Sequence, residues 1–118
     1  MAVLDSERII AALRGAFARE EGREALLRLT AEKIRVAGAP YTSVYLYMLQ
    51  GNELVLEAFS GRETDHTRIP VGVGVCGTAV ASKQDQNVPD VRAIENYLAC
   101  NVWTRSELVA FAARSTAE

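Results

Sequence analysis

The sequence HTRIPVGVGVCGTAV, residues 66–80, decides the fold, because it places a short strand directly before a glycine-rich turn and a helix. The pattern predicts a strand over His66–Val71 and a helix from about Cys76 to Lys83. The glycines between them allow the backbone to turn sharply. We therefore expect Cys76 at the start of a helix, where the helix dipole favours a thiolate.

The glycines of this turn, Gly72, Gly74 and Gly77, also spell G-x-G-x-x-G, a pattern typical of dinucleotide-binding turns. A hairpin precedes them, however, and the predicted helix is too short to cross over between parallel strands. The Lys-Ser/Thr pair of a phosphate-binding loop is also absent from the sequence. We therefore interpret these glycines as a structural turn and expect no cofactor.

Downstream of this helix the sequence predicts loops that end in a strand. Asp85–Asn101 is predicted to be mostly loop, with a Pro-Asp turn and one helical turn near Glu95. Arg105–Phe111 predicts a further strand. Residues 112–118 are small and polar and form a short tail in this interpretation.

Upstream, the sequence predicts a hairpin preceded by two helices. Thr42–Leu49 and Leu54–Phe59 are rich in β-branched and aromatic residues, and the Gln-Gly-Asn-Glu segment between them is typical of a turn. Residues 1–39 have apolar residues at helical spacing, interrupted at Gly22. Helices followed by a mainly antiparallel sheet indicate an α+β fold. We interpret residues 1–118 as one domain, in which residues 41–111 carry the sheet and the site loops.

The predicted helices have start and stop signals. Asp5 or Ser6 can cap the first helix, and Gly38 and Pro40 end the second. We interpret the leucines of both helices as core packing. The apolar positions that recur along the first helix are Ile9, Leu13, Ala16 and Phe17.

Composition limits the class of protein. The chain has 118 residues, of which 49% are hydrophobic and 24% charged, as in a globular domain. A formal net charge of -2 gives no electrostatic reason to expect nucleic acid or an anionic membrane as a partner. The amino terminus lacks a basic segment before an apolar run. We therefore expect a cytoplasmic protein with reduced cysteines.

Two cysteines and one histidine are the candidates for chemistry. Cys76 and Cys100 are separated by loop rather than by two residues, and His66 is the other strong ligand, so we expect no metal site. The residues alone leave two alternatives for the thiols. They are either small buried hydrophobic side chains, the commonest role of such a cysteine, or reactive groups.

Five short segments of the sequence form a pattern together: residues 67–72, 74–79, 88–91, 99–100 and 105–107. This pattern resembles the free methionine-(R)-sulfoxide reductases, which are GAF-type domains. The match covers about a third of the chain closely and most of it from Tyr41 onward more loosely. The resemblance implies a GAF-like fold, with helices packed on an antiparallel sheet.

The resemblance also implies roles for individual residues. Cys100 corresponds to the nucleophile, and Cys76 to a second family cysteine. Glu107 corresponds to a carboxylate that holds the ammonium group of the free amino acid. Tyr45 corresponds to an aromatic wall of the pocket, and Tyr41 stands where the family usually has tryptophan. Asp90 either supports the site or only forms a turn.

Free methionine sulfoxide, or a similar small ligand, is the implied substrate, with thioredoxin or a small thiol as reductant. The sequence departs from the family at His66, which occupies the position of the cysteine that usually resolves the sulfenic acid. In the family, a further strand pair and a terminal helix follow the segment that ends here at Phe111, and we expect a truncated C-terminal part that lacks them. Without them a sheet edge stays open, which favours a homodimer. A GAF module that binds a small molecule, or an inactive fragment, is the alternative to an enzyme.

Overall fold

The computed structural model describes residues 5–37, 42–93 and 107–110. Within these ranges two helices come first, a hairpin and a short strand follow, and a third helix separates them from two further short strands. The bounds are α1 Ser6–Ala18, α2 Arg23–Ala37, β1 Val44–Gln50, β2 Glu53–Ser60, β3 Arg68–Pro70, α3 Gly74–Ser82, β4 Gln86–Val88, a 3₁₀ turn Val91–Ala93, and β5 Glu107–Val109.

The chain divides into two compact units. The first comprises Met1–Met48 and Val55–Glu63, and the second comprises Leu49–Leu54 and Thr64–Glu118. Helices that precede antiparallel strands confirm the predicted α+β class. In the described part of the chain, no helix is both long enough and apolar enough to cross a membrane.

Helix α1 is amphipathic and begins at a side-chain cap. The Asp5 carboxylate accepts a hydrogen bond of 3.2 Å from the backbone N–H of Arg8, so Asp5 rather than Ser6 is the N-cap. Ile9 and Ala16 are two turns apart and both buried. The helical spacing predicted Phe17 to belong to the same stripe, but Phe17 is 72% exposed. It directly follows Ala16 and is therefore rotated by about 100° around the helix axis from the buried stripe.

Helix α2 is tied to β2 near both of its ends. The Arg23 guanidinium contacts the Glu57 carboxylate at 3.2 Å. The Arg35 Nε–H donates a hydrogen bond of 2.6 Å to the Ser60 hydroxyl. Between these two contacts, Ala31 is buried on the apolar face of the helix. The predicted second helix is therefore confirmed, and it ends at Ala37, directly before the expected stop signal.

The predicted hairpin is confirmed, with strand bounds shifted by one or two residues. Its turn is Gly51-Asn52, and Gly51 has a φ of 62°, a left-handed conformation that glycine adopts without strain. Because the turn has two residues rather than four, both strands extend further toward it than the pattern predicts.

Strand β3 pairs with β2, close to the turn of the hairpin. The backbone N–H of Val71 donates a hydrogen bond of 2.9 Å to the carbonyl of Asn52. The Arg68 guanidinium forms an ion pair with Glu53. Among the described strands, β2 lies between β1 and β3 in one sheet. The strand covers Arg68–Pro70 and is shorter than the predicted His66–Val71.

A second, antiparallel pair joins β4 to β5. Its register sets Gln86 opposite Val109 and Val88 opposite Glu107. The prediction that residues 85–101 are mostly loop is therefore wrong for β4, whose three residues gain strand structure from a distant partner. The predicted strand near the end is confirmed over β5. The helical turn expected near residue 95, the ends of the predicted last strand and residues 112–118 lie outside the described ranges.

Candidate functional site

The turn between β3 and α3 positions the first cysteine. Gly72 and Gly74 have φ angles of 91° and 70°, values that residues with a Cβ rarely adopt. The backbone N–H of Gly72 donates a hydrogen bond of 2.9 Å to the carbonyl of Gly77, and that of Val73 donates one of 3.1 Å to the carbonyl of Pro70. The G-x-G-x-x-G sequence therefore folds as a closed structural turn, as we interpreted it.

A glycine is required at position 77 because there is no room for a Cβ, and not because the backbone there has a positive φ angle. A Cβ at this position would lie 2.8 Å from the carbonyl oxygen of Pro70 and 2.9 Å from the backbone nitrogen of Gly72. Both are backbone atoms, which cannot rotate away as a side chain can. Helix α3 therefore packs with its backbone directly against the end of β3, at the residue that follows Cys76.

Cys76 is the third residue of α3 and is half-buried. It stands between the buried residues Val75 and Gly77. Val73 occupies the N-cap position and makes no side-chain hydrogen bond to the helix start. The first turn of α3 itself contains no acidic residue that could interact with the partial positive charge of the helix start.

Asp90 shapes the turn that follows β4. Its carboxylate accepts a hydrogen bond of 3.0 Å from the backbone N–H of Arg92 and two more, of 3.0 and 2.8 Å, from the Arg92 guanidinium. The hydrogen bond to Asp90, and then its negative charge, raise the pKa of Arg92. These contacts suit a residue that forms a turn, and Arg92 is a partner that the sequence reasoning did not identify.

A small apolar cluster holds the second unit together. Val75 of α3, Val88 of β4 and Val91 of the 3₁₀ turn are buried against one another, and Val109 of β5 packs on them. Cys76 directly follows Val75, and Glu107 is paired in register with Val88. The elements that carry Cys76, Asp90 and Glu107 therefore meet at one cluster.

The other predicted site residues are distributed over both units. His66 belongs to the second unit, is half-buried, and its backbone N–H donates a hydrogen bond of 3.1 Å to the Thr64 hydroxyl. Tyr45 belongs to the first unit, where its ring stacks on Phe59 with a centroid distance of 6.1 Å. The Tyr45 hydroxyl donates a hydrogen bond of 2.7 Å to the carbonyl of Arg62.

Two predicted site residues, Tyr41 and Cys100, lie outside the described ranges. Cys100 falls in the connection between Ala93 and Glu107, whose two ends belong to the unit that carries Cys76. Among the residues that the structure describes, no three His, Cys, Asp or Glu side chains are grouped as metal ligands.

Known proteins similar to this chain are methionine sulfoxide reductases and GAF domains. The free methionine-R-sulfoxide reductase of Escherichia coli K12 is 46% identical over 63 residues, which are 53% of this chain and 38% of that protein. The chain thus spans about two fifths of the length of this curated relative. No protein-family model matches the sequence.

Solved structures extend the similarity over most of the chain. The free methionine-R-sulfoxide reductase of Neisseria meningitidis, determined in complex with its substrate, superposes with a TM-score of 0.73 at 31% identity, and the match covers 92% of this chain and 70% of that one. A putative GAF sensor protein of Burkholderia vietnamiensis superposes with a TM-score of 0.74 at 28% identity, and the match covers 86% and 64% of the two chains. These similarities confirm the GAF fold that the sequence predicted, and the chain belongs to the family of the free methionine-R-sulfoxide reductases.

Proposed function

We propose that this chain reduces free methionine-(R)-sulfoxide to methionine in a thiol-dependent reaction. The observation that carries the proposal is that α3, β4 and β5 meet at one apolar cluster. Cys76 directly follows a residue of this cluster, Val75, and Glu107 is the strand partner of another, Val88. A reductase of this kind needs thiols beside a group that binds a free amino acid. The E. coli and N. meningitidis reductases to which the chain is similar support the same reaction class.

In the proposed first step, the thiolate of Cys100 attacks the sulfur of the sulfoxide. The sulfoxide oxygen is transferred to the cysteine sulfur, so that methionine leaves and Cys100 becomes a sulfenic acid after taking up one proton. The substrate sulfur gains two electrons and the cysteine loses two. No metal or organic cofactor is needed for this transfer.

In the second step, a thiol must reduce the sulfenic acid. We propose that Cys76 attacks the Cys100 sulfur, forming a disulfide and releasing the oxygen as water. The reaction requires that the two Cα atoms approach to within about 7 Å. The start of α3 supports Cys76 in this role, because the uncapped helix dipole favours the attacking thiolate. Thioredoxin or a small dithiol would then return both cysteines to thiols.

Binding of the free amino acid is assigned to Glu107 and two tyrosines. The carboxylate of Glu107 would accept a charge-assisted hydrogen bond from the substrate's ammonium group. That contact selects free methionine sulfoxide over a peptide-bound residue, which has no α-ammonium group. Tyr45 and Tyr41 would supply apolar walls for the S-methyl group.

His66 affects the second step, in which a thiol reduces the Cys100 sulfenic acid. A histidine cannot form the disulfide that a cysteine at its position would form. Turnover in this chain therefore depends either on Cys76 or on an external thiol that reduces the sulfenic acid directly.

A thioredoxin-coupled assay with cysteine variants tests the proposal. Cys100→Ser should reduce turnover of free methionine-(R)-sulfoxide to background, because the nucleophile is lost while the side chain is nearly isosteric. Cys76→Ser is the matched control: it should keep a single turnover and lose thioredoxin-supported recycling. The S epimer and a peptide-bound sulfoxide should be poor substrates. Wild-type turnover by a folded Cys100→Ser protein would refute the mechanism.

A binding module without turnover is the second candidate. The similarity to the putative GAF sensor of B. vietnamiensis and the histidine at position 66 favour it. Calorimetric titration distinguishes the two, because a sensor binds methionine or its sulfoxide without forming product or oxidising Cys100.

A further inference from the structure

The amino acid that the proposed reaction consumes carries two opposite charges. At neutral pH a free amino acid has an ammonium group and a carboxylate, and a residue inside a peptide has neither of these groups. The carboxylate proposed at Glu107 attracts the ammonium group and repels the carboxylate of the ligand. A site that binds the whole free amino acid therefore needs a cation in addition to Glu107.

The described part of the second unit contains three lysine or arginine residues: Arg68, Lys83 and Arg92. Arg68 forms the ion pair that joins β3 to β2. Lys83 follows the C-terminal end of α3, eight residues from Val75 of the apolar cluster, or about 12 Å at 1.5 Å per residue. Arg92 directly follows Val91, another residue of that cluster. Among these three cations, Arg92 is therefore the one beside the cluster.

The backbones of Arg92 and Glu107 approach the cluster from two neighbouring elements. Val88 is the strand partner of Glu107, and Val91 is buried beside Val88. Arg92 is four residues from Val88, so their Cα atoms would lie within about 14 Å even if the chain between them were fully extended. The 3₁₀ turn Val91–Ala93 shortens this distance. Two long side chains that start from these positions can reach the opposite ends of one small amino acid.

The Asp90 carboxylate orients the Arg92 guanidinium. It accepts a hydrogen bond of 3.0 Å from Nε and one of 2.8 Å from a terminal nitrogen, which is a bidentate pair. A guanidinium has five N–H groups, so three remain, and none of them donates to another residue in the described part of the chain. The Arg92 side chain is 79% exposed, so these three groups are accessible to a ligand.

This orientation favours binding of a second carboxylate. A long side chain that is already held in one conformation loses less entropy when it binds. The hydrogen bond to Asp90, and then its negative charge, raise the pKa of Arg92, which keeps the guanidinium cationic. The Asp90 charge also repels an incoming anion, but solvent and salt screen this repulsion at an exposed pair, whereas the direction of the N–H groups is retained.

We propose that Arg92, oriented by Asp90, binds the α-carboxylate of the free amino acid whose ammonium group Glu107 binds. The proposal rests on the proposed function, because it adds a second contact to the same ligand. It concerns binding alone, so its test does not need turnover. Selection against a peptide-bound substrate would then depend on both charged ends of the free amino acid.

Calorimetric titration with three related ligands tests the carboxylate contact. Methionine has both charges, methioninamide lacks the carboxylate, and N-acetylmethionine lacks the ammonium group. The wild-type protein should bind methionine at least about fivefold more tightly than methioninamide, and Arg92→Gln should remove this difference. The preference for methionine over N-acetylmethionine should remain in Arg92→Gln, because it depends on Glu107. A folded Arg92→Gln protein with the wild-type ratio of methionine to methioninamide affinity would overturn the proposal.

Arg68→Gln is the matched control. Arg68 belongs to the same unit, is also exposed and is also paired with an acidic residue, so its loss changes the net charge equally. The ratio of methionine to methioninamide affinity should stay at the wild-type value in this variant. If Arg68→Gln lowered the ratio as much as Arg92→Gln, the effect would come from net charge, and the assignment to Arg92 would be wrong.

Two further variants test the geometry of the pair. Arg92→Lys keeps the charge but loses the planar fork, so it should retain only part of the preference for methionine over methioninamide. Asp90→Asn removes the charged partner that orients Arg92, and it should weaken methionine binding more than methioninamide binding. An Asp90→Asn protein that keeps or increases the wild-type ratio would refute the orienting role of Asp90.

Failure of this proposal differs from failure of the reductase. A protein that binds methionine through both charges but forms no product in the thioredoxin-coupled assay would refute the reductase and support the role of Arg92. An active reductase whose Arg92→Gln variant keeps the wild-type affinity ratio would refute the role of Arg92 alone. A wild-type protein that binds methionine and methioninamide equally well would refute it as well.

Discussion

Helices α1 and α3 differ in two local features, the residue that caps the start of the helix and the surroundings of a glycine inside it. Helix α1 begins at an acidic cap, Asp5, whereas Val73 at the start of α3 makes no side-chain bond to the helix. Each helix also has one glycine in its interior, Gly15 in α1 and Gly77 in α3. A Cβ on Gly15 would meet only the flexible end of Arg19 at 3.3 Å, whereas one on Gly77 would meet fixed backbone at 2.8 Å. Helix α1 is thus stabilised by its own sequence, and α3 by its surroundings.

The largest expected effect comes from Gly77→Ala. Because the added methyl group meets the backbone of Pro70 and Gly72, the helix must shift, at a cost of about 3 kcal/mol in the free energy of unfolding. The shift also moves Cys76, so the proposed reductase activity should fall. Chemical denaturation measures the first effect and the thioredoxin-coupled assay the second. A stability within error of wild type would mean that α3 does not depend on this backbone contact.

The next effect concerns the cap of α1. Asp5→Ala removes the hydrogen bond from the Asp5 carboxylate to the backbone N–H of Arg8, which should cost about 1 kcal/mol. Denaturation of Ser6→Ala provides the control, since Ser6 lies within the helix and should change stability much less. If both substitutions had the same effect, Asp5 would not act as the cap.

The smallest effect has the opposite sign. Gly15→Ala should stabilise the protein by about 0.5–1 kcal/mol, because alanine loses less backbone entropy in a helix and the Arg19 side chain can move aside. The thermal midpoint should rise accordingly. A fall in the midpoint would show that Gly15 is packed as tightly as Gly77, and the contrast between the helices would disappear.

The sequence allowed prediction of elements that have local signals. The hairpin has β-branched strands around a Gly-Asn turn, and α3 follows Gly72 and begins at Gly74, both of which have positive φ angles. Strand β4 has no such signal: it is three residues long, and only Val88 faces the apolar cluster. Its structure depends on pairing with β5 about twenty residues later, and a local pattern does not contain a distant partner.

The features of the candidate site can also be separated into those with a local signal in the sequence and those without one. That Cys76 lies near the start of a helix was predictable from the neighbouring glycines, but the helix begins at Gly74 and ends at Ser82, rather than running from about Cys76 to Lys83 as predicted. The bond of Asp90 to Arg92 was not predicted, because several nearby residues are equally plausible partners until the turn is formed. The roles of Cys100, Glu107 and the tyrosines rest on family resemblance, since their chemistry depends on proximity in space rather than on neighbours in sequence.

The hydrogen bond from the Gly72 amide to the Gly77 carbonyl has a consequence for measuring motion at the site. This amide proton can exchange with solvent deuterium only when the turn opens, although Gly72 itself is on the surface. Its exchange rate therefore reports how often α3 separates from the end of β3. The exchange rate of the Gly72 amide thus measures the frequency of the local opening that displaces Cys76, and the measurement does not require a label on the thiol.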